Sequence, residues 1–148
     1  MLSAMRALVV VALLGCSSAP TVQPAVCAND PRVETFQTGM ASKGVAGSTV
    51  TIVSATPSVV QQGLNEWVVS ITDSSGQPFT GTVTETGFMP DHNHGSPTMS
   101  TVTPKGNGQY DISGINLSMV GVWMVTITVS NGTLNDSAAF TFCIDGAS

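Results

Sequence analysis

The two histidines of this 148-residue chain, His92 and His94, stand together with a thioether in the run Gly87-Phe88-Met89-Pro90-Asp91-His92-Asn93-His94-Gly95-Ser96-Pro97. Imidazole and sulfur in one short segment suit soft or borderline ions. Copper fits best, because thioether favours Cu(I) while imidazole serves either oxidation state. On an extended backbone, residues two apart project to the same side, so His92 and His94 would reach one ion. Met99 opens the next apparent strand, and Met119 and Met124 flank Gly121-Val122-Trp123. The candidate metal ligands are therefore His92, His94, Met89, Met99 and Met119, and Asp91 would add a hard oxygen for Cu(II) or Zn(II). The same residues also read as an ordinary rigid turn. Pro90, Asp91, Asn93, Gly95 and Pro97 are turn formers, and methionines fill core gaps more often than they bind metals. A His-x-His pair is also less specific than a four-ligand zinc pattern.

Catalysis has less to stand on. No paired carboxylates are evident, and Asp91, His92 and a serine make no recognisable triad. No catalytic residue is assigned, and a non-enzymatic protein is expected.

The elements that must position these residues are strands. Trp67, Val69 and Ile71 alternate with Val68, Ser70 and Thr72, and Trp123, Val125, Ile127 and Val129 alternate with Met124, Thr126 and Thr128. That two-residue period marks half-buried strands. Val50 and Ile52, Val83, Tyr110 and Ile112, and Ala138, Phe140, Phe142 and Ile144 add further members. Turn signals at Asp73-Ser74-Ser75-Gly76, Lys105-Gly106-Asn107-Gly108 and Asn131-Gly132 separate them. The pattern predicts an all-β, immunoglobulin-like sandwich of about seven antiparallel strands with both tryptophans in its core. Pro31 to Ser48 lacks periodicity. Irregular structure is expected there, with Phe36 or Met40 pinned to the sandwich.

The start of the chain reads as an export signal. Arg6 precedes an apolar run, Ala7 to Leu14, too short to span a bilayer. Leu13-Leu14-Gly15-Cys16 resembles the bacterial lipobox, in which cleavage makes the cysteine the lipidated first residue. An ordinary cleavage near Ala19 or Ala25 is the alternative. Three acyl chains on Cys16 would form a durable anchor, since one chain alone holds only marginally. The expected organisation is a signal peptide at 1–15, a lipidated Cys16 with a small, uncharged tether at 16–26, and one domain at 27–148. Ser17 at the position after the cysteine, where Asp would favour inner-membrane retention, leans toward the outer membrane. The protein should therefore be membrane-tethered in the bacterial envelope and face the periplasm.

Once Arg6 leaves with the signal, Arg32, Lys43 and Lys105 face nine acidic residues. Such a surface lacks the basic footprint of a nucleic-acid binder, so the expected partners are the membrane and an envelope protein. With Cys16 used for lipid, Cys27 and Cys143 remain as an even pair in an oxidising compartment. A disulfide is the natural reading, stabilising by about 4 to 5 kcal/mol in the chain-entropy model. Two free thiols with a metal or redox role are the alternative. Cys143 lies between the core-facing Phe142 and Ile144, so a bond to Cys27 would clip the N-terminal segment to the outside or edge of the last strand.

Three ordered motifs carry a family resemblance: Met89-Pro90-Asp91-His92-Asn93-His94-Gly95, then Gly108-Gln109-Tyr110, then Asn116-Leu117-Ser118-Met119-Val120-Gly121-Val122-Trp123. Over roughly Ser48 to Val129 the chain resembles the YtkA-like domain, a relative of FixH, which often carries Met-Pro-x-His-x-His-Gly, Gly-x-Tyr and Met-Pro-Gly-x-Trp runs in that order. The resemblance implies an exported or membrane-tethered β-sandwich associated with metal handling, especially copper, and with oxidase maturation. Gly63-Leu64-Asn65-Glu66-Trp67 and Phe140-Thr141-Phe142-Cys143-Ile144 are similar to small lipoproteins of this group in which two cysteines pair. Val120 departs from the pattern, which usually has Pro there, and Asn93 replaces a frequent Gly or Met. The first change would loosen the loop that places Met119.

Changing Cys16 to Ser should release the protein from membranes on fractionation. Continued membrane association of that variant would refute lipidation at Cys16.

Overall fold

A computed structural model describes residues 27 and 29–146. The expected signal peptide at 1–15 and the expected lipidated Cys16 and tether at 16–26 lie outside the described residues. Among the described residues nine strands form: β1 (Ala41–Lys43), β2 (Thr49–Thr56), β3 (Gly63–Thr72), β4 (Thr82–Met89), β5 (His94–Gly95), β6 (Thr101–Gly106), β7 (Gln109–Leu117), β8 (Gly121–Ser130) and β9 (Asn135–Ile144). They make two antiparallel sheets, one of order β1-β2-β3-β7-β6 and one of order β5-β4-β8-β9, packed face to face as a β-sandwich.

The alternation explains the packing. Trp67, Val69 and Ile71 from β3, Ile112, Ile115 and Leu117 from β7, and Trp123, Val125, Ile127 and Val129 from β8 are all fully buried between the sheets. Their β-branched and aromatic side chains suit a pleated surface with one face covered. Trp67 meets Phe140 and Phe142 edge-on at 6.2 and 5.9 Å, and Phe36 closes the cluster 5.5 Å from Phe142. Phe36 and Met40 both pack against the core, as the sequence leads one to expect.

The strand count exceeds the expected seven by two very short members. β1 has three residues and β5 two, too few to show a period. β1 forms within the stretch expected to be irregular, because a buried carboxylate organises the turn that follows it. Asp136, only 7% exposed, accepts hydrogen bonds from the N–H groups of Ala46, Ser48 and Ser137 at 3.0 Å and from the Ser48 hydroxyl at 2.6 Å. A Cβ on Gly44 would overlap that carboxylate, so the turn requires glycine there.

Cys27 and Cys143 are disulfide-bonded. Beyond that bond the N-terminal segment runs along β9, the edge of its sheet. Glu34 N–H donates to the Thr141 carbonyl at 2.8 Å, and Thr141 N–H donates to Glu34 Oε2 at 3.1 Å. The strap covers part of an edge that would otherwise offer free backbone groups to another chain.

Burial opposes the charge on Asp136, yet the Ser48 hydroxyl and the N–H groups of Ala46, Ser48 and Ser137 outweigh it and hold the carboxyl at about 2. That value lies below the unfolded-state value near 3.9. The contribution is therefore complete above the unfolded value and lost as pH falls toward the folded one. Denaturant unfolding should show of the order of 2 kcal/mol disappearing between about pH 5 and about pH 2. Asp136→Asn should lack that acid-dependent component and be less stable at neutral pH by about 1 to 3 kcal/mol. An unaltered acid limb in the variant would refute this assignment.

Candidate metal site at the β4–β5 hairpin

The histidines sit at one pole of the sandwich, where β4 turns into β5 beside the start of β8 and the end of β9. Met89 pairs with His94 and Phe88 with Gly95. The chain does not run extended from His92 to His94, contrary to the sequence expectation. His92 N–H donates to the Met89 carbonyl at 3.2 Å, and Asn93 takes a left-handed conformation with φ of 52°. Asn tolerates that region better than most residues. The tight turn, and not strand alternation, brings the two rings together, with centroids 5.8 Å apart and planes at 71°.

That spacing passes a simple test for a shared ion. With ring nitrogens about 2.0 to 2.1 Å from a metal, two imidazoles on one ion have ring centres up to about 6.3 Å apart. His94 Nδ1 lies 3.0 Å from the Gly95 carbonyl. A carbonyl only accepts, so Nδ1 carries the proton and Nε2 keeps its lone pair for a ligand. Both histidines are exposed.

Directly opposed residues on an antiparallel pair share a face, which puts His94 on the core side with Met89. Met89 is fully buried, and its methyl lies 2.9 Å from where a Cβ on Gly121 would stand. Gly121 has φ of 130°, so glycine serves both the conformation and the space. The His94 ring stands edge-on to Trp123, with centroids 6.4 Å apart. Trp123 Nε1 donates to the Met119 carbonyl at 2.9 Å, which ties the Ser118–Val120 turn to the same corner. Met119 is 41% exposed there. The structure thus brings His94 against the indole, His92 against His94, Met89 opposite His94 in the strand pair, and the Met119 backbone onto Trp123 Nε1. Met99 is 95% exposed on the connection from β5 to β6.

Asp91, which the sequence offers as a hard oxygen, has another partner. Arg32 donates to its two oxygens at 2.7 and 2.8 Å and binds Asp30 through Nε and Nη2 at 2.9 and 2.6 Å. The Arg32 hydrogen bonds hold the Asp91 carboxyl below the usual range and place Asp30 at about 2, while the guanidinium itself is held more firmly protonated. Sequence reasoning missed Arg32, since 59 residues separate it from Asp91 and no local pattern links them. It also missed Glu85, which alternates with Val83, Gly87 and Met89 on the core side of β4. Burial pushes the Glu85 carboxyl up, and a hydrogen bond from Ser100 partly offsets this.

Among the described residues, no third imidazole, thiol or carboxylate joins the two histidines in a cluster. A further protein donor at this corner would be sulfur, an amide or hydroxyl oxygen, or backbone oxygen.

A family model described as YtkA-like matches residues 42–128, more than half of the chain. The chain belongs to the YtkA-like family. The YtkA-like segment runs from β1 nearly to the end of β8 and contains both histidines, Met89, Met99, Met119 and Trp123. Cys27, Arg32, Cys143 and Asp145 lie outside it. No curated protein and no solved structure matches the chain.

Removing the guanidinium tests the link between strap and hairpin. In Arg32→Ala, the Asp91 carboxyl should titrate at higher pH, in the ordinary carboxylate range, when followed by NMR. An unchanged Asp91 titration would show that Arg32 does not hold it in solution.

Proposed function

We propose that this protein is a lipid-anchored module of the bacterial envelope that binds or transfers copper at the β4–β5 hairpin, without catalysis. His92 and His94 supply imidazole nitrogens, and a thioether from Met119 or Met89 supplies sulfur. The observation that carries this reading is the 5.8 Å pairing of two exposed imidazoles at a corner that also holds two methionines. Nitrogen and sulfur donors in that mixture suit copper better than hard cations. Membership of the YtkA-like family supports the same direction, and the lipobox-like Cys16 supports an envelope location with an outer-membrane preference. Met99, 95% exposed and without the strand pairing that sets Met89 opposite His94, is the weakest member of the sequence-derived ligand set. The bound ion would be cargo, and the protein's part is to present donors in a fixed arrangement.

A second reading, an envelope interaction domain without metal, draws on the exposed Met99, Met119 and Val120. Such side chains also suit contact with a protein.

Titration of the purified, disulfide-bonded protein distinguishes the two. Anaerobic Cu(I) and aerobic Cu(II), each against a competing chelator, should give one equivalent bound with a Kd below about 1 μM. The His92→Ala/His94→Ala variant should lose that binding. Equal binding by the two proteins, or none by either, would overturn the metal reading and leave the hairpin as a contact surface.

A further inference from the structure

A second set of metal donors lies outside the family segment, at the disulfide. Cys27 Sγ, Cys143 Sγ and a carboxylate oxygen of Asp145 all lie within 4.8 Å of one another. Asp145 Oδ1 is 3.5 Å from Cys143 Sγ. While the sulfurs are bonded to each other they are poor ligands. Reduction changes that, because thiolates are among the strongest donors for thiophilic cations.

The surroundings favour a cation over two free thiols. Cys143 and Asp145 line an open groove of about 690 Å³ between the N-terminal strap, the β2–β3 connection and the end of β9. Asp30 and Glu34 line the same groove, and no lysine or arginine does. Arg32 pairs with Asp30, so Glu34 and Asp145 carry the negative potential along the route from solvent to Cys143. Cys27 is 8% exposed and Cys143 half-buried, so the donors are sheltered but reachable.

We infer that reduction of the Cys27–Cys143 disulfide creates a metal site in which both thiolates and Asp145 bind a d¹⁰ cation, zinc(II) or copper(I). The donor set is two sulfurs and one oxygen, which leaves a fourth position open to water or a partner's ligand. The sulfurs would part to about 3.8 Å, the separation of two thiolates bound at about 2.3 Å to a tetrahedral ion. The chemistry balances with a thiol or phosphine reductant. With a phosphine, the S–S bond breaks, two thiols form, and the phosphine takes oxygen from water to become its oxide. The ion then displaces two thiol protons as two metal–sulfur bonds form. This site stands independently of the histidine pair, since it shares no residue with it.

The test uses the His92→Ala/His94→Ala protein, so that the imidazoles contribute nothing. It is reduced with a phosphine and titrated anaerobically with zinc against a chromophoric chelator, with cobalt(II) as a spectroscopic probe. One zinc equivalent should bind in the reduced protein and none in the oxidised one, with a thiolate-to-cobalt charge-transfer band. Further replacement of Cys143 by Ser should abolish binding, and Asp145→Asn should weaken it by about tenfold or more. Near-UV circular dichroism of the buried tryptophans reports whether the sandwich survives reduction. Zinc uptake no greater than in the cysteine variant, or loss of the native near-UV signal on reduction, would overturn the proposal. An Asp145→Asn protein with undiminished affinity would remove the carboxylate from the site and refute the three-donor assignment.

Discussion

The Trp123 indole is the contact on which the geometry of the histidine pole depends. Its ring is fully buried against the core, its Nε1 is fixed by the Met119 carbonyl, and it makes a T-shaped contact with His94. Three pieces of backbone therefore meet on one rigid side chain: the β4–β5 hairpin, the turn before β8, and β8 itself. Gly87 lies directly against this ring, where a Cβ would stand in ordinary contact 3.5 Å from Trp123 Cε3 and Cζ3. Tryptophan has only two side-chain torsions to fix, so a large contact surface is ordered at modest entropic cost. The sheet interior thus sets the position of groups that lie at its exposed rim.

The long strands were legible from their two-residue period, and the core was legible with them. Trp67, Trp123, Phe140 and Phe142 are buried because alternation puts them on the inner faces. The short strands were not. β5 spans only His94–Gly95 and exists because a tight turn returns the chain to Met89. β1 exists because Asp136, 88 residues beyond Ser48, fills the turn between β1 and β2. The second contact leaves no local trace, whereas the first lies in a run whose turn formers also read as a rigid turn. The same distinction applies at the site. The proximity of His92, His94 and Met89 in sequence was informative, although the turn that pairs the rings is not the extended segment their spacing suggested. Arg32 on Asp91 was invisible, because pairing across the fold depends on where the strap lies.

That strap couples two otherwise separate features of the pole. It begins at a covalent bond to β9, continues through Asp30 and Arg32, and reaches the hairpin at Asp91, next to His92. The ion pairs are solvent-exposed, so their contribution to stability is small and screened by salt. Their consequence is geometric. Arg32 satisfies both carboxylates at once with a planar fork, and thereby withholds Asp91 from the imidazoles. The donor character of the hairpin is shifted from hard oxygen toward nitrogen and sulfur, which bears directly on which ions it would select.

The exposure of the imidazoles bears on what kind of binder the proposed function describes. A storage site is best served by a closed shell, since every donor must then leave before the ion can. His92 and His94 instead stand on a turn and a two-residue edge strand, with solvent on one side. An ion held by two such nitrogens and one sulfur would retain open coordination positions. An incoming ligand could bind before an outgoing one departs, so exchange would avoid a bare, weakly coordinated ion. The excess of acidic over basic residues adds a long-range attraction for cations without occupying those positions. On these physical grounds the hairpin suits passage of an ion between partners better than its permanent retention.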